Sequence, residues 1–280
     1  MTKTHPFDKY VRPSARRTTN CPGCGNGILA QSILRAIDEE NLDMDDFVFV
    51  SGIGCAAWIP SPFFHADILH TTHGRPIAFA TGIKLAAPDR NVMIVSGDGD
   101  LLAIGGNHLI HAARRNIDMT VICVNNYIYG MTGGQVAPTT PAGLKTMTSP
   151  FGNLENFFDP CKLAIGSGAT YVARWTVYHA LQITRTVKAA LKHKGFSFIE
   201  IVSQCPVQFG RKSGMGTSTE MFDYYKENAV TVAKASNMTE EELAEKIIVG
   251  EMVNIEKPVL DDEYAKLRKT LRERSGDAEN

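Results

Sequence analysis

The sequence lacks a long apolar segment. No stretch of it approaches the roughly 20 consecutive apolar residues that a membrane-spanning helix requires. Its N-terminal segment, MTKTHPFDKYVRPSARRTTN, contains basic side chains but not the apolar core of a signal peptide. We therefore expect a cytoplasmic protein that does not associate with membranes.

An excess of charge of one sign is missing as well. The 30 Asp and Glu residues almost balance the 29 Lys and Arg residues, so the formal net charge is -1. Bulk electrostatics therefore give no reason to expect a nucleic acid or an acidic membrane surface as a partner. The chain has 280 residues, of which 44% are hydrophobic, and this is enough for one large globular domain with a sizeable core.

The six cysteines of the sequence are not accompanied by an export signal. Disulfide frameworks belong to exported proteins, because cytosolic thiols stay reduced. The cysteines are therefore expected in metal binding, in catalysis or in the core.

Short apolar segments alternate with amphipathic segments along most of the chain. The predicted strands are DFVFVSGIG, NVMIVSGDGD, DMTVICVNN, ATYVARW and GFSFIEIVSQC, and helices such as NGILAQSILRAIDEE and VYHALQITRTVKAALKH lie around them. This alternation predicts an α/β fold with a mostly parallel sheet of at least five strands and helices on both faces. We expect that domain to span residues 1–218, followed by a helical extension over residues 219–280 with a capping box from Thr239 to Glu242.

Two polar motifs stand at the ends of neighbouring predicted strands. GDG occupies residues 97–99, and NN, which includes Asn126, ends the next strand. Ligands of open α/β sheets bind at the carboxyl ends of the strands, and oxygens from Asp98, Asn126 and a backbone carbonyl suit Mg²⁺. The motifs together predict a diphosphate held through a divalent cation, although each motif alone also fits an ordinary turn.

GDG followed by NN at this spacing matches the thiamine diphosphate signature. With YGMTGGQ after it, the chain resembles the β subunit of the 2-oxoacid:ferredoxin oxidoreductases over nearly its whole length, most of all the 2-oxoglutarate type. The resemblance implies a thiamine diphosphate-binding fold in which Asp98 and Asn126 bind Mg²⁺ by their side chains and Ile128 binds it by its carbonyl. The other contacts that it implies for the cofactor are Gly54, Cys55, His73, Gly97, Gly99, Asp100, Gly130 and Thr132.

The segment HTTHGR precedes a predicted helix, and in this family such a segment lies against the cofactor. His73 and Arg75 are thus candidates for contacts with the diphosphate or the substrate, and a structural role is the alternative for His73 and the commoner one for His70. Met131 stands where pyruvate enzymes of the family carry Asn, and it is expected to line the reacting carbon. This departure disfavours pyruvate.

Cys21 and Cys24 form a CPGC turn before a predicted helix. By themselves they fit a redox dithiol, half of a zinc site or half of an iron-sulfur site. No thioredoxin-like strand precedes them, and the adjacent thiamine signature favours iron-sulfur, because an electron carrier has a chemical use there. Cys55 and Cys205 stand at the ends of other predicted strands, and the family pattern gives these four cysteines as the ligands of one [4Fe-4S] cluster.

The other two cysteines are less suited to bind a metal. Cys123 alternates inside the predicted strand TVICV and is interpreted as a small buried residue. Cys161 follows a proline at the start of a predicted helix, and burial is favoured over a ligand role.

The chain lacks a recognisable glutamate that could activate the aminopyrimidine of thiamine diphosphate. The resemblance therefore implies an α subunit that supplies this Glu, with or without small γ and δ subunits. The implied reaction is oxidative decarboxylation of 2-oxoglutarate to succinyl-CoA and CO₂, or its reverse, with coenzyme A as acyl acceptor and ferredoxin as electron acceptor. The alternatives are branched-chain 2-oxo acids or pyruvate as substrate, or a non-redox thiamine-dependent decarboxylase subunit with structural zinc.

Overall fold

An eight-stranded sheet forms the centre of the protein. The structure, a computed structural model, describes residues 5–15 and 18–275. In the order β2-β1-β3-β4-β8-β7-β10-β9, neighbouring strands are parallel except β7 and β10, and β5 and β6 form a separate antiparallel pair. The strands are β1 (Phe47–Ser51), β2 (Asp67–His70), β3 (Asn91–Gly97), β4 (Met119–Asn125), β5 (Ile128–Tyr129), β6 (Gln135–Val136), β7 (Tyr171–Thr176), β8 (Phe196–Val202), β9 (Ala229–Thr231) and β10 (Ile247–Asn254).

Helices cover both faces of the sheet. The α-helices are α1 (Asn26–Glu39), α2 (Pro76–Ala86), α3 (Gly106–Arg114), α4 (Pro160–Gly166), α5 (Ala180–Lys192), α6 (Arg211–Ser213), α7 (Ser218–Asn228), α8 (Val232–Ala235), α9 (Glu240–Leu243) and α10 (Leu260–Ser275). Two segments are π-helical, Gly99–Ile104 and Pro206–Gly210. None of the described helices is both long enough and apolar enough to cross a membrane.

The central strands read as unbroken apolar runs because both of their faces are buried. Successive residues contribute to opposite cores: in β4, Ile122 packs with α1 and α5 on one face, while Val121 and Cys123 pack with α2 and α3 on the other. Cys123 is thus the small buried residue that the sequence predicts.

The strand order reverses between β1 and β3. From β1 the chain continues outward to β2, then returns to β3 on the other side of β1 and continues to β4. Such a reversal leaves a crevice at the carboxyl ends of the two strands, where open α/β sheets bind their ligands. The GIGC segment after β1 and the GDG segment at the end of β3 therefore meet at this crevice.

The predicted fold class is confirmed, and the sheet is larger than the predicted minimum. The expectation of a helical extension over residues 219–280 is incomplete, because this segment also contributes β9 and β10 to the main sheet. β10 is half exposed, so it has no continuous apolar run by which to recognise it. The capping box is confirmed: Thr239 accepts from the amide of Glu242, whose carboxylate accepts from the amide of Thr239 at 2.8 Å.

Replacing Phe49 by alanine should lower the free energy of unfolding by about 3–5 kcal/mol. Phe49 is fully buried, and its ring centroid lies 5.5 Å from that of Phe47 and 5.2 Å from that of Phe64. Urea unfolding followed by circular dichroism measures the loss. Phe151→Ala is the matched control, since this ring is 98% exposed and should contribute less than about 0.5 kcal/mol. Equal losses in the two variants would contradict the described core.

Candidate active site

A pocket opens where β1, β3 and β4 end. It is lined by segments that follow each of these strands and by the segment before α2. Most of the site residues expected from the sequence line it together: Gly54, Cys55, His73, Gly97, Asp98, Gly99, Asp100, Asn126, Ile128, Gly130, Met131 and Thr132. Arg75 does not line it but lies at its rim, where its guanidinium donates to the carbonyls of Gly74 and Ile104 at 3.3 Å.

Asp98 is a buried carboxylate at the floor of this pocket. It is 3% exposed, and the hydroxyl of Thr139 donates to it. Burial raises the pKa of Asp98 to about 7, and the Thr139 hydrogen bond only partly opposes this shift. A bound cation would offset the cost of keeping this group charged.

Asn126 presents an amide oxygen to the same pocket. This oxygen accepts from the backbone amide of Ile128 at 3.2 Å, which leaves its second lone pair for a ligand. Asp98, Asn126 and the carbonyl of Ile128 thus combine a carboxylate, an amide and a backbone oxygen, the hard donor set that Mg²⁺ prefers.

Asp100 ties three segments of the site together. Its carboxylate, 2% exposed, accepts from the amide of Gly74 at 2.6 Å, from the amide of Ile53 at 3.3 Å and from the hydroxyl of Ser96 at 2.7 Å. His73 Nδ1 lies 2.5 Å from the same carboxylate, but without the geometry of a hydrogen bond. Asp100 therefore borders the pocket while its oxygens hold the surrounding loops.

Tyr129 forms a side wall of the pocket that sequence reasoning missed. Its hydroxyl donates to the carbonyl of Gly99 at 3.3 Å, and its ring centroid lies 6.2 Å from that of His73. A side chain at position 99 would overlap this ring. Glycine at that position is thus required by the close approach of Tyr129.

Cys21, Cys24, Cys55 and Cys205 come together beside the pocket. Burial raises the pKa of Cys24 to about 12, and the other three cysteines lie close enough to raise it further. The CPGC turn, in which the amide of Cys24 donates to the carbonyl of Cys21 at 3.0 Å, is joined to the segment after β8 by a bond from the amide of Gly25 to the carbonyl of Gln204. Burial also raises the pKa values of Cys55 and Cys205, and a positively charged centre would favour the thiolates of these buried groups.

The cysteine group and the pocket share a wall. Cys55 begins a short 3₁₀ helix after β1 and lines the pocket. On the other side, a Cβ placed on Gly130 would lie 3.4 Å from the sulfur of Cys205. The two sites are therefore adjacent along the edge of the sheet.

Cys161 lies apart from this group. Its thiol is buried and donates to Glu200 at 3.3 Å. Asp159, Cys161 and Glu200 have ligand atoms close enough to hold an ion. The guanidinium of Arg174 already pairs with both carboxylates, at 2.5 Å from Asp159 and 2.6 Å from Glu200, so this group is neutralised by the protein itself.

Thr139 is a second site residue that sequence reasoning missed. It belongs to the long Gly-, Pro- and Thr-rich segment after β4, and the length and composition of that segment were the available signal. The segment returns to the pocket because the amide of Met147 donates to the carbonyl of Gly134, and the amide of Phe158 donates to that of Pro138.

Comparisons with known proteins agree with this site. The family described as "Thiamine pyrophosphate enzyme, C-terminal TPP binding domain" matches residues 52–201. The chain is 54% identical over 268 residues to the 2-oxoglutarate synthase subunit KorB of Methanocaldococcus jannaschii, covering 96% of this chain and 99% of that protein. It is 52% identical over 260 residues to the subunit of the same name from Methanothermobacter marburgensis, covering 93% and 91%.

A solved structure is similar over the same length. It is the 2-oxoglutarate:ferredoxin oxidoreductase from Magnetococcus marinus with 2-oxoglutarate, coenzyme A and succinyl-CoA bound, with a TM-score of 0.84, 33% identity, and coverage of 97% of this chain and 92% of that one. Fold and site thus define a thiamine diphosphate-binding enzyme subunit. More specifically, the chain belongs to the β-subunit family of the 2-oxoacid:ferredoxin oxidoreductases, in the group of the KorB subunits.

We expect Gly99→Ala to weaken binding of thiamine diphosphate with Mg²⁺ at least about tenfold, the scale of changes in residues that orient metal ligands. The added methyl group would displace Tyr129 from the pocket wall. Isothermal titration calorimetry on the protein purified with its natural partners measures the Kd. Gly82→Ala is the control, because a Cβ there meets no atom within 4 Å, and an unchanged Kd in both variants would remove Tyr129 from the site.

Proposed function

We propose that this chain, in complex with an α subunit, oxidatively decarboxylates 2-oxoglutarate to succinyl-CoA and CO₂, or catalyses the reverse reaction, and exchanges electrons with ferredoxin through a [4Fe-4S] cluster. The observation that carries the proposal is the shared wall. Cys55 lines the pocket that contains Asp98 and Asn126, and Gly130 of that pocket borders Cys205. A redox centre beside a decarboxylation site has an immediate use.

The pocket residues fit thiamine diphosphate with Mg²⁺. Asp98 and Asn126 would hold the cation by their side chains and Ile128 by its carbonyl, and this donor set supports the proposal because the buried Asp98 needs a positive charge near it. When bound, thiamine diphosphate supplies the nucleophilic carbon and the electron sink that cleavage next to a ketone requires. Thr139 keeps Asp98 oriented by its hydrogen bond.

The four cysteines fit an iron-sulfur cluster better than a single zinc ion. Four sulfurs about 2.3 Å from one zinc lie about 3.8 Å apart. Within the described parts of the chain, no three of these sulfurs lie within 4.8 Å of one another. The sulfurs therefore do not form a zinc-sized group, and a larger four-thiolate centre would accept or deliver electrons one at a time. The partial burial of Cys24, Cys55 and Cys205 would keep it partly shielded from water.

The carboxylate that activates the cofactor would come from an α subunit. Among the described residues that line the pocket, the carboxylates are Asp98 and Asp100, and Asp100 is already engaged with backbone amides. A glutamate from a partner seated over the pocket would complete the site. Cys21 is the most exposed of the four cysteines, so electron exchange with ferredoxin or with small γ and δ subunits would take place on its side of the group.

The choice of 2-oxoglutarate is supported by the names of the similar proteins. A second carboxylate on the substrate needs a cation, and two lie at the rim. Arg75 contacts the carbonyl of Ile104, and the ammonium of Lys212 donates to the carbonyl of Gly133, next to Met131 and Thr132. His73 and Met131, which line the pocket, would border the reacting carbon.

The function is tested by anaerobic purification with the natural partners, followed by assay of 2-oxoglutarate, 2-oxoisovalerate and pyruvate with coenzyme A and an electron acceptor. We expect the highest kcat/KM for 2-oxoglutarate.

Asp98→Ala should abolish both activity and thiamine diphosphate binding, because the cation loses its carboxylate. Asp89→Ala, at an exposed aspartate, is the control and should retain both. Preference for another 2-oxo acid would reassign the substrate, and undiminished cofactor binding in Asp98→Ala would remove the thiamine site.

We expect the wild-type chain to contain about four irons and to lose them in Cys205→Ala. Iron analysis and the paramagnetic signal of the reduced cluster measure the change. Cys123→Ala is the matched control, because this thiol is buried in the core and should leave the iron content unchanged. One zinc per chain and no iron would instead support the non-redox decarboxylase.

A further inference from the structure

A buried charged network lies beneath the turn that carries Asn126. Glu200 in β8, 2% exposed, accepts from Arg174 Nε at 2.6 Å and from Asn125 Nδ2 at 2.8 Å. Arg174, 9% exposed, also pairs with Asp159. None of these side chains is among the residues that line the pocket.

Asn125 connects this network to the turn. It is the last residue of β4, and its Oδ1 accepts from the backbone amide of Tyr127 at 3.2 Å while its Nδ2 donates to Glu200. The two halves of one amide side chain thus bond a buried carboxylate and the backbone of the turn. If Glu200 moves or loses its acceptor, Asn125 loses the bond that orients it.

The turn needs such support because Tyr127 adopts a left-handed backbone conformation, with φ of 64°. Non-glycine residues are strained there and keep this conformation only when their surroundings enforce it. The amide of Tyr127 is held by Asn125, and its carbonyl accepts from the hydroxyl of Thr140 at 2.6 Å. Asn126 and Ile128, the proposed ligands of the cation, flank this residue on both sides.

A contribution to stability does not by itself explain why the charged pair of Glu200 and Arg174 is buried at these positions. Removing a carboxylate and a guanidinium from water is costly, and apolar replacements of similar volume are often neutral or stabilising. The positions two residues away on the same face of β7 and β8 show that this core accepts apolar side chains, since Val172 and Phe198 are fully buried there. A charged pair at this place therefore points to a requirement for orientation.

We propose that Glu200, balanced by Arg174, is a positioning residue for the cofactor: through Asn125 it fixes the strained turn that aims the Asn126 side chain and the Ile128 carbonyl at the cation. The inference rests on the proposed thiamine site and adds to it residues that touch neither the cofactor nor the substrate. Groups that orient metal ligands in this way typically change metal affinity by about 10–100-fold.

The test is a reciprocal exchange of the two side chains in the full chain purified with its natural partners. Asn125→Asp places two carboxylates against each other, and Glu200→Gln removes the charge that faces Arg174. In the double variant, the introduced glutamine amide can donate to the introduced carboxylate. This restores the hydrogen bond in the opposite direction and leaves the number of carboxylates in the network unchanged.

We expect each single variant to raise the Kd for thiamine diphosphate at saturating Mg²⁺ at least about tenfold, and the double variant to recover most of the loss. Amide hydrogen exchange over residues 125–129, measured without cofactor, should rise in the single variants and fall again in the double variant. If Asn125→Asp does not fold, Glu200→Gln, which keeps the volume and one acceptor, decides the question by the same two measurements.

Thr170→Val is the matched control. Thr170 is fully buried and donates to Asn116 at 2.8 Å, at the opposite edge of the sheet. This variant should lower the unfolding midpoint without changing the Kd or the exchange of residues 125–129. Single variants that lose only stability, or a double variant that recovers nothing, would overturn the inference. A wild-type complex that binds no thiamine diphosphate would contradict the proposed function instead. The exchange measurement would still decide whether Glu200 orders the turn over residues 125–129.

Discussion

The constraint on which the site depends is the direction of the strands. In a parallel sheet every strand delivers its carboxyl end to the same edge. The segments after β1, β3, β4 and β8 therefore meet, although they are far apart in the sequence. Helices pack against both faces of the sheet through apolar side chains and hold this edge in place. The reversal of strand order at β1 and β3 leaves a crevice between the loops that follow these strands.

Two buried carboxylates near this edge, Glu200 and Asp98, differ in how their charge is balanced. Glu200 is neutralised within the protein by Arg174, and the pair is deep in the core. Asp98 is equally buried, its side-chain partner among the described residues is the hydroxyl of Thr139, and burial raises its pKa. The first arrangement is complete in the chain, whereas the second would be completed by the cation proposed for this site. This difference agrees with the two proposed roles, a positioning role for Glu200 and a ligand-binding role for Asp98.

The sequence was sufficient for the features that depend on local pattern. The grouping of Asp98, Asn126 and the four cysteines at one edge could be predicted because each follows a recognisable strand or turn, and parallel strands bring such ends together. Thr139 was missed because its contact with Asp98 depends on the path of a long irregular segment. Glu200 and Arg174 were missed although a signal existed: single charged residues inside the apolar runs FSFIEIV and YVARW. Which partners satisfy such charges is decided by the register between β7 and β8, which the sequence does not display.

The two large apolar cores contain none of the four grouped cysteines. Burial of apolar surface, the main driving force of folding, is thus independent of any inorganic centre, in contrast to small zinc domains that unfold without metal. Under the proposed function, biogenesis would accordingly have two stages: the polypeptide first attains its tertiary structure, and the proposed cluster is then inserted into an already folded acceptor. Exposure to air would then threaten the second stage and leave the first intact.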